Sequence, residues 1–445
     1  MKMRLLAVWE AVRTSFWFIP SLMVIAAAGL AVGLVNLDRL LQTDFGAVFF
    51  SGGVEGARSI LSTIAGSMIT IAGVTFSITI VALTLTSSQF GSRMLRNFMA
   101  DRGNQLVLGT FIATFMYCLL VMKSIPLAGG AEPVPGIAVA FSFVLALVDL
   151  GVLIYFYHHV SNSIHADNII ESVTRELERA IERFSRDNQG PEAAASMPCR
   201  DFPDLCENPI AVLSHSSGYL RAVDETSLVE IAEKQEAIIH LHYRPGEYVF
   251  INTPLATISP VAESDFSSEA VQNAFILGNR RTPEQDIEFA VCQLVEVALR
   301  ALSPGINDPF TAISCINRLG NALCRLSQAN FPPHLFFDSQ EKLRLVTKAF
   351  TYAGILDTAF NQIRQAAKDS VAVHVRLLET LASVAGTLRH PQRCRAIAHH
   401  AMMTRRAARK NIHSPNDLED IEKRYYDVMK SVAMCRMGPV KRPLS

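Results

Sequence analysis

Four long apolar stretches in the first 160 residues constrain this chain more than any other feature. They lie within 14–37, 59–92, 102–123 and 134–157. A helix needs about 20 apolar residues to cross the hydrocarbon core of a bilayer, and each stretch provides them. Charged residues make up 18% of the chain, against roughly 25% in soluble proteins, and the deficit falls in this part. The sequence therefore predicts four transmembrane helices.

Lysine and arginine residues predict the orientation of these helices, because they are enriched in cytoplasmic loops. One side of the predicted bundle has Lys2, Arg4, Arg13, Arg93, Arg96, Arg102, Arg175, Arg179, Arg183 and Arg186. The other side has only Arg39, Arg58 and Lys123. We therefore expect both termini in the cytoplasm.

The second stretch carries a row of small and hydroxyl-bearing residues at alternating steps of three and four, here called the seam. Its members include Thr63, Gly66, Thr70, Gly73, Ser77, Thr84 and Ser87. Another stripe of the same helix is almost wholly apolar, so we expect the seam to face inward and the apolar stripe to face lipid. Two interpretations stay open. The seam allows close helix packing, or it lines a water-filled path for ions or small solutes.

Three charged residues of this region also have two interpretations. Arg93 and Arg96 follow the second stretch and either set the topology or form a positive pore mouth that favours anions. Asp149 is the single acid within a predicted span, about 8 residues or roughly 12 Å from its cytoplasmic end. A carboxyl in a membrane span marks a functional site, or a buried pair that fixes helix packing. It would pair with Arg93 or Arg96, or be protonated.

The rest of the chain predicts a cytoplasmic α+β portion. We expect an α-helical integral membrane protein with a four-helix transmembrane domain over 1–160, a helical stalk and linker over 161–198, a small β module over 199–262 and a mostly helical domain over 263–445. Within the stalk, apolar residues recur at helical spacing and predict a packing surface that supports oligomer formation. They are Ile170, Val173, Leu177, Ile181 and Phe184.

The β module shows strand patterns over 210–213, 238–243 and 248–252. Between the last two lies the turn 244–247, with proline and glycine where a type II turn prefers them. The segments 217–220, 244–249 and 253–256 resemble the barrel-sandwich fold of biotinyl and lipoyl carriers. A carrier needs a lysine on an exposed hairpin, and the only lysine here, Lys234, falls in a predicted helix. The module is therefore interpreted as a non-carrier barrel used for structure or binding.

Capping signals predict the helices that follow. Residues 282–285 form a capping box ahead of a helix that ends near Leu302. A tight turn follows, after which Asp308 caps the next helix and Pro309 begins it. The polar residues of this turn, Ser303, Asn307 and Asp308, either complete the turn or bind a ligand. The segment 338–434 predicts helices, with breaks near Pro391 and Pro415.

No catalytic constellation occurs in the sequence, so we expect neither an enzyme nor a cofactor. The phosphate-binding and zinc-protease motifs and the nucleophile elbow are absent. His240 and His242 alternate on one strand, but two ligands are too few to predict a metal site. The formal net charge is zero, which gives no basic domain for nucleic acid. The eight cysteines form no CxxC pair, and we expect them to be reduced.

Three blocks carry a family resemblance: residues 75–90, 101–111 and 300–309. With them the chain resembles the bacterial predicted membrane proteins grouped as domain of unknown function 2254, through nearly its whole length. The resemblance implies a protein of the bacterial cytoplasmic (inner) membrane and supplies no activity, substrate or catalytic residue.

Two functional hypotheses follow. The first is a homo-oligomeric channel or transporter for ions or small solutes, with the second transmembrane helix lining the path. The alternative is a membrane-anchored sensor or scaffold whose cytoplasmic domain binds a ligand or partner. The lipid bilayer and further copies of the chain are the expected partners.

Overall fold

The chain folds into two compact units, Met1–Ile169 and Ile170–Ser445. The computed structural model describes residues 17–41, 53–90, 101–125, 134–163, 166–187, 209–260 and 268–436.

The first unit contains the four apolar helices that the sequence predicts. They are α1 (Phe18–Leu41), α2 (Val54–Phe90), α3 (Arg102–Ser124) and α4 (Gly136–Ser163). Each contains a segment that is long and apolar enough to cross a membrane, which confirms the four candidate spans. The orientation with both termini in the cytoplasm stays a prediction.

Helix α3 makes the most extensive contacts of this unit, with α1, α2 and α4. A glycine permits its close approach to α1. A Cβ on Gly109 would lie 3.1 Å from the Cα of Pro20 and 2.6 Å from the Sδ of Met23. The hydroxyl of Tyr117 donates to the carbonyl oxygen of Ala138 on α4 at 2.8 Å. Backbone approach and a buried hydrogen bond therefore hold α3 between its neighbours.

Carboxylates cap the amino termini of two of these helices, α3 and α4. Asp38 in α1 accepts hydrogen bonds from the amides of Ile137 and Ala138 at the start of α4. Asp101 caps α3 by accepting from the amide of Gly103 at 2.7 Å, and it also lies 2.7 Å from Nε2 of His159. The first amides of a helix have no partner within the helix, so these contacts satisfy them and connect segments far apart in sequence.

The second unit is mixed α and β. Its strands are β1 (Ile210–Leu213), β2 (Gly218–Val223), β3 (Ala237–Leu241), β4 (Tyr248–Val249), β5 (Pro254–Pro260), β6 (Phe275–Gly278), β7 (Leu335–Phe337) and β8 (Leu343–Val346). Its helices are α5 (Ala166–Asp187), α6 (Glu225–Lys234), α7 (Ser268–Gln272), α8 (Ile287–Ala301), α9 (Pro309–Leu326), α10 (Tyr352–Ala366), α11 (Val371–Thr387), α12 (Pro391–Asn411) and α13 (Pro415–Arg436).

The strands form two sheets, with orders β1-β5-β3-β8-β7 and β4-β2-β6. All pairs are antiparallel except β3 with β8. Both sheets contribute to one apolar core that includes Leu220, Ile239 and Ile258. Strands β6, β7 and β8 lie beyond residue 262, so the sheets extend past the predicted β module. The barrel-sandwich likeness is not confirmed by this strand order.

Local signals are right at some positions of this unit and wrong at others. Asp308 caps α9 by accepting from the amides of Phe310 and Thr311, as predicted. The cap of α8, however, is Asp286 and not Thr282. The side chain of Gln285 instead forms two hydrogen bonds with the backbone of Val223 on β2. These tertiary contacts use the amide group that a capping box would need.

The prediction of helices throughout 338–434 is also wrong at its start. Residues 343–346 form β8, which pairs in parallel with β3. The ion pair of Arg344 with Asp338, at 2.7 Å and with both side chains buried, holds this strand. The parallel pair β3–β8 joins segments about a hundred residues apart, so a local sequence pattern does not predict it.

The apolar stripe of α5 packs within the chain. Leu177 and Ile181 are buried, and the ring of Phe184 packs edge-on against Phe331 and Phe350. The spacing of these residues predicted a surface for oligomer formation. They are instead covered by other residues of the same chain.

Two cysteines are paired. Cys394, at the start of α12, and Cys435, at the end of α13, form a disulfide. The expectation of reduced cysteines is wrong for this pair, since partners 41 residues apart in sequence meet only after α12 and α13 have packed together.

Candidate functional site

Asp149 lies at the centre of the fourth candidate span. This span runs from Gly136 to Asn162, which places Asp149 thirteen residues, or roughly 20 Å of helix, from each end. The helix α4 continues beyond Tyr157 to Ser163, and the predicted distance of 8 residues to the cytoplasmic end of the span stays a prediction for Asp149. Its side chain is 1% exposed. The middle of a transmembrane helix is where a carboxyl is most costly to transfer out of water.

No basic side chain among the described residues reaches the carboxylate of Asp149. Both of its oxygens are buried, and neither an arginine nor a lysine of the described structure neutralises them. Thr114 and Cys118 of α3 are the side chains that interact with it across the α3–α4 interface, and both are buried. A buried carboxylate without a basic partner is costly, so this residue is suited to take up a proton or a cation.

The seam on α2 faces away from the other described helices of the first unit. Its described side chains are exposed, and nothing lies within 4 Å of a Cβ built on Gly66 or Gly73. The residues that α2 buries form a different row: Ala57, Leu61, Ala65, Met68, Ala72, Thr75, Ala82 and Thr86. The expectation that the seam faces inward is therefore wrong for a single chain. Lining a path would require a second copy.

The hydroxyls of the seam donate to their own helix. Thr63, Thr70, Ser77 and Thr84 each donate to the carbonyl oxygen four residues earlier, at 2.8–2.9 Å. A hydroxyl has one donor and two acceptor lone pairs. With the proton committed to the backbone, the seam presents oxygen acceptors outward, and such oxygens suit a cation or water better than an anion.

The structure does not bring all predicted site residues together. The seam and Asp149 lie on different helices and point to different surroundings, the first outward and the second into the α3–α4 interface. Arg93 and Arg96 lie outside the described residues, as does the side chain of Ser87. Their predicted roles stay predictions.

A buried polar group that the sequence reasoning missed lies near one end of α3. Asn104 is 3% exposed, and neither its amide nitrogen nor its oxygen has a hydrogen-bond partner among the described residues. It borders a narrow gap with Thr75, Thr79 and Phe156. The sequence signal for this buried group is an amide side chain at the start of an apolar span. Apolar length alone, which predicts the span, does not reveal it.

The turn at 303–308 uses its polar groups internally. The hydroxyl of Ser303 donates to the carbonyl of Arg300 at 2.6 Å, and the amide of Asn307 donates to the carbonyl of Ser303 at 2.9 Å. Asn307 has a φ of +50°, in the left-handed region that asparagine tolerates. Asp308 is engaged as the cap of α9. These bonds account for the turn as a structural element.

The second unit contains a pocket of about 180 Å³. Three aromatic side chains line it, Phe184 from α5, Tyr243 after β3 and Phe350 before α10, together with three prolines. Its charged lining residues are Glu225, Arg244, Glu284 and Lys348. Sequence reasoning missed this pocket, since its walls come from segments spread over 170 residues.

Most charges around the pocket are paired. Arg244 lies 2.8 Å from Glu288 and 3.8 Å from Glu247, and its guanidinium stacks 4.6 Å from the centroid of Phe350. The Nζ of Lys348 lies 2.6 Å from Glu247. Glu284 pairs with Arg221 at 3.7 Å.

Glu225 is the exception. Burial raises the pKa of its carboxyl, and its side chain makes neither a hydrogen bond nor an ion pair within the part of the chain that the structure describes. The pocket therefore holds one uncompensated acid beside apolar and aromatic walls.

Among the described residues no cluster of three or more histidine, cysteine or acidic side chains could hold a metal ion. His242 is engaged with the hydroxyl of Thr257, at 2.6 Å from its Nε2.

Comparison with known proteins gives one family and several relatives. The family described as predicted membrane protein (DUF2254) matches residues 13–383. The uncharacterized protein Rv1290c of Mycobacterium tuberculosis is 29% identical over 418 residues, which cover 92% of this chain and 79% of the relative. The uncharacterized protein Mb1321c of Mycobacterium bovis gives the same values. No solved structure gives a significant match.

Proposed function

The chain belongs to the family of predicted membrane proteins described as DUF2254, and from this premise we propose that it transports protons or small cations across the bacterial inner membrane. The observation that carries the proposal is the buried carboxyl of Asp149 at the middle of a candidate span, with no ion-pair partner among the described residues.

A structural role does not account for Asp149 well. A carboxylate that fixes helix packing should have an arginine, a lysine or several donors around it, because a lone charge in hydrocarbon costs about 3 kcal/mol even on insertion scales. Among the described residues Asp149 has neither an arginine nor a lysine partner, and the hydroxyl of Thr114 is a single neutral donor. A group that releases and accepts a proton or a cation needs such freedom, since a permanent partner would hold it in one charge state.

The seam supports the preference for positive solutes and bears on assembly. Its hydroxyl oxygens point outward as acceptors, and no other helix of the described chain covers Gly66 or Gly73. In a homo-oligomer the seams of neighbouring copies would face one another and line or flank the path. Small residues allow that approach.

The test is flux through purified protein in liposomes, with proton, sodium, potassium and chloride gradients imposed separately. We expect proton or cation flux that Asp149→Asn lowers at least about tenfold, because an amide can neither lose a proton nor neutralise a cation. The matched control is Ser142→Ala on the same face of α4, whose buried hydroxyl already donates to Val139. Flux that is equal in Asp149→Asn and the wild type, or that is absent in the wild type, would contradict the proposal.

A membrane-anchored sensor is the second candidate function, and the pocket of the second unit favours it. Part of that pocket is formed by α5, the helix that follows the fourth candidate span in the chain. A ligand held against Phe184 would stabilise one position of α5. The signal would then pass along the chain to the spans.

A further inference from the structure

The charges around the pocket define what could occupy it. Arg244 and Lys348 are neutralised by Glu247 and Glu288 at 2.6–3.8 Å. An incoming anion would have to compete with these carboxylates, which are already in place. Glu225 has no competing partner among the described residues, so the uncompensated charge of the pocket is negative.

The walls restrict the body of the ligand. Phe184, Tyr243 and Phe350 line the pocket beside three prolines, and such surfaces favour apolar or aromatic groups. One ring face is already taken by Arg244. The volume, about 180 Å³, is below the range of roughly 300–1,000 Å³ that is usual for drug-sized ligands, so the ligand must be small.

We propose that this pocket binds a small organic cation, an amine with an apolar or aromatic body, whose charged end pairs with Glu225. The apolar part packs against the aromatic walls, and the ammonium donates to the carboxylate in a charge-assisted hydrogen bond. The inference rests on the sensor alternative and names its ligand class. It does not depend on transport, since all its residues belong to the second unit.

The experiment is calorimetric titration of the full chain in detergent with 2-phenylethylamine, and with 3-phenylpropionate as an anion of matched body. We expect saturable binding of the amine with a Kd of about 1 mM or lower and weaker or undetectable binding of the anion. Glu225→Gln should weaken amine binding at least about tenfold, because the charge-assisted bond is lost.

Glu230→Gln is the matched control, since Glu230 lies on the same helix, is exposed and does not line the pocket. It should bind the amine as the wild type does. Circular dichroism should show that both variants are folded. Absence of amine binding by the wild type, equal binding by Glu225→Gln, or tighter binding of 3-phenylpropionate would each overturn the inference. Binding and flux are measured separately, so failure of one proposal is distinguishable from failure of the other.

Discussion

Asp38, in the last turn of α1, accepts hydrogen bonds from the main-chain amides of Ile137 at 3.2 Å and Ala138 at 3.0 Å. One carboxylate of the first candidate span thus caps the amino terminus of the fourth. The helix dipole favours a negative charge at that position, and the amides would otherwise be left without acceptors.

Removal of this cap should destabilise the membrane unit. We expect Asp38→Ala to lower the free energy of unfolding by about 1–2 kcal/mol, in the range of other lost caps. Asp38→Asn keeps an acceptor oxygen and should lose less. Thermal unfolding in detergent measures both, and an unchanged midpoint in Asp38→Ala would show that the cap is dispensable.

The environment of Asp149 predicts its chemical reactivity. A buried carboxyl with no basic partner among the described residues costs less free energy as the neutral acid than as the carboxylate, and the neutral acid is the form that reacts with the membrane-permeable reagent dicyclohexylcarbodiimide. We expect peptide mass spectrometry to find the adduct on Asp149 and to lose it in Asp149→Asn. The exposed Glu55 at the start of α2 serves as an internal control and should be modified much less.

Tryptophan substitutions distinguish the two faces of α2. Ala72 is 3% exposed against the other helices, so Ala72→Trp should overpack the bundle and cost about 1–3 kcal/mol or more. Ser77 is exposed, so Ser77→Trp should leave the single chain folded while it alters association and flux. Thermal unfolding, chemical cross-linking and liposome flux measure these effects. If Ser77→Trp unfolds the chain as Ala72→Trp does, the outward position of the seam is wrong.

The turn before β4 predicts a glycine requirement. Gly246 has a φ of +94°, and a Cβ there would lie 2.1 Å from Oδ2 of Asp286. Gly246→Ala should therefore destabilise the second unit by about 1–3 kcal/mol, since it combines backbone strain with a collision. Gly305→Ala is the control, because nothing lies within 4 Å of its Cβ position. A similar loss of stability in Gly305→Ala would contradict the assignment of the effect to strain and collision at Gly246.

Acid should weaken the pairing of α12 with α13. The hydrogen bond from Arg405 lowers the pKa of Glu422, and a second from Arg409 acts in the same direction. A carboxyl with a depressed folded pKa contributes stability above its unfolded value of about 4.3, and this stability is lost as pH falls through the folded value. Because the pair is partly exposed, the contribution is about 1 kcal/mol or less. The difference in thermal midpoint between the wild type and Glu422→Gln should shrink from pH 6 to pH 3, and a constant difference would contradict this.

Several features were predictable because they depend on neighbours in sequence. The four candidate spans follow from apolar length, which is a local property. Asp308 and Pro309 mark the start of α9, and Pro391 and Pro415 begin α12 and α13, because caps and prolines act within one helical turn. The turn at Pro245 and Gly246 likewise follows from backbone preferences of two adjacent residues.

The sequence by itself thus determined which segments are helical and apolar, while only the tertiary structure decided which of their faces are covered. Periodicity placed Thr63 and Ser77 on one face of α2, but the smaller side chains of Ala65 and Ala72 provide the surface against which its neighbours pack. Composition identified Asp149 as an unusual acid, and the fold buries it without a basic partner among the described residues. The pocket beside Glu225 has walls from distant segments, and a cavity of this kind exists only once those segments have met.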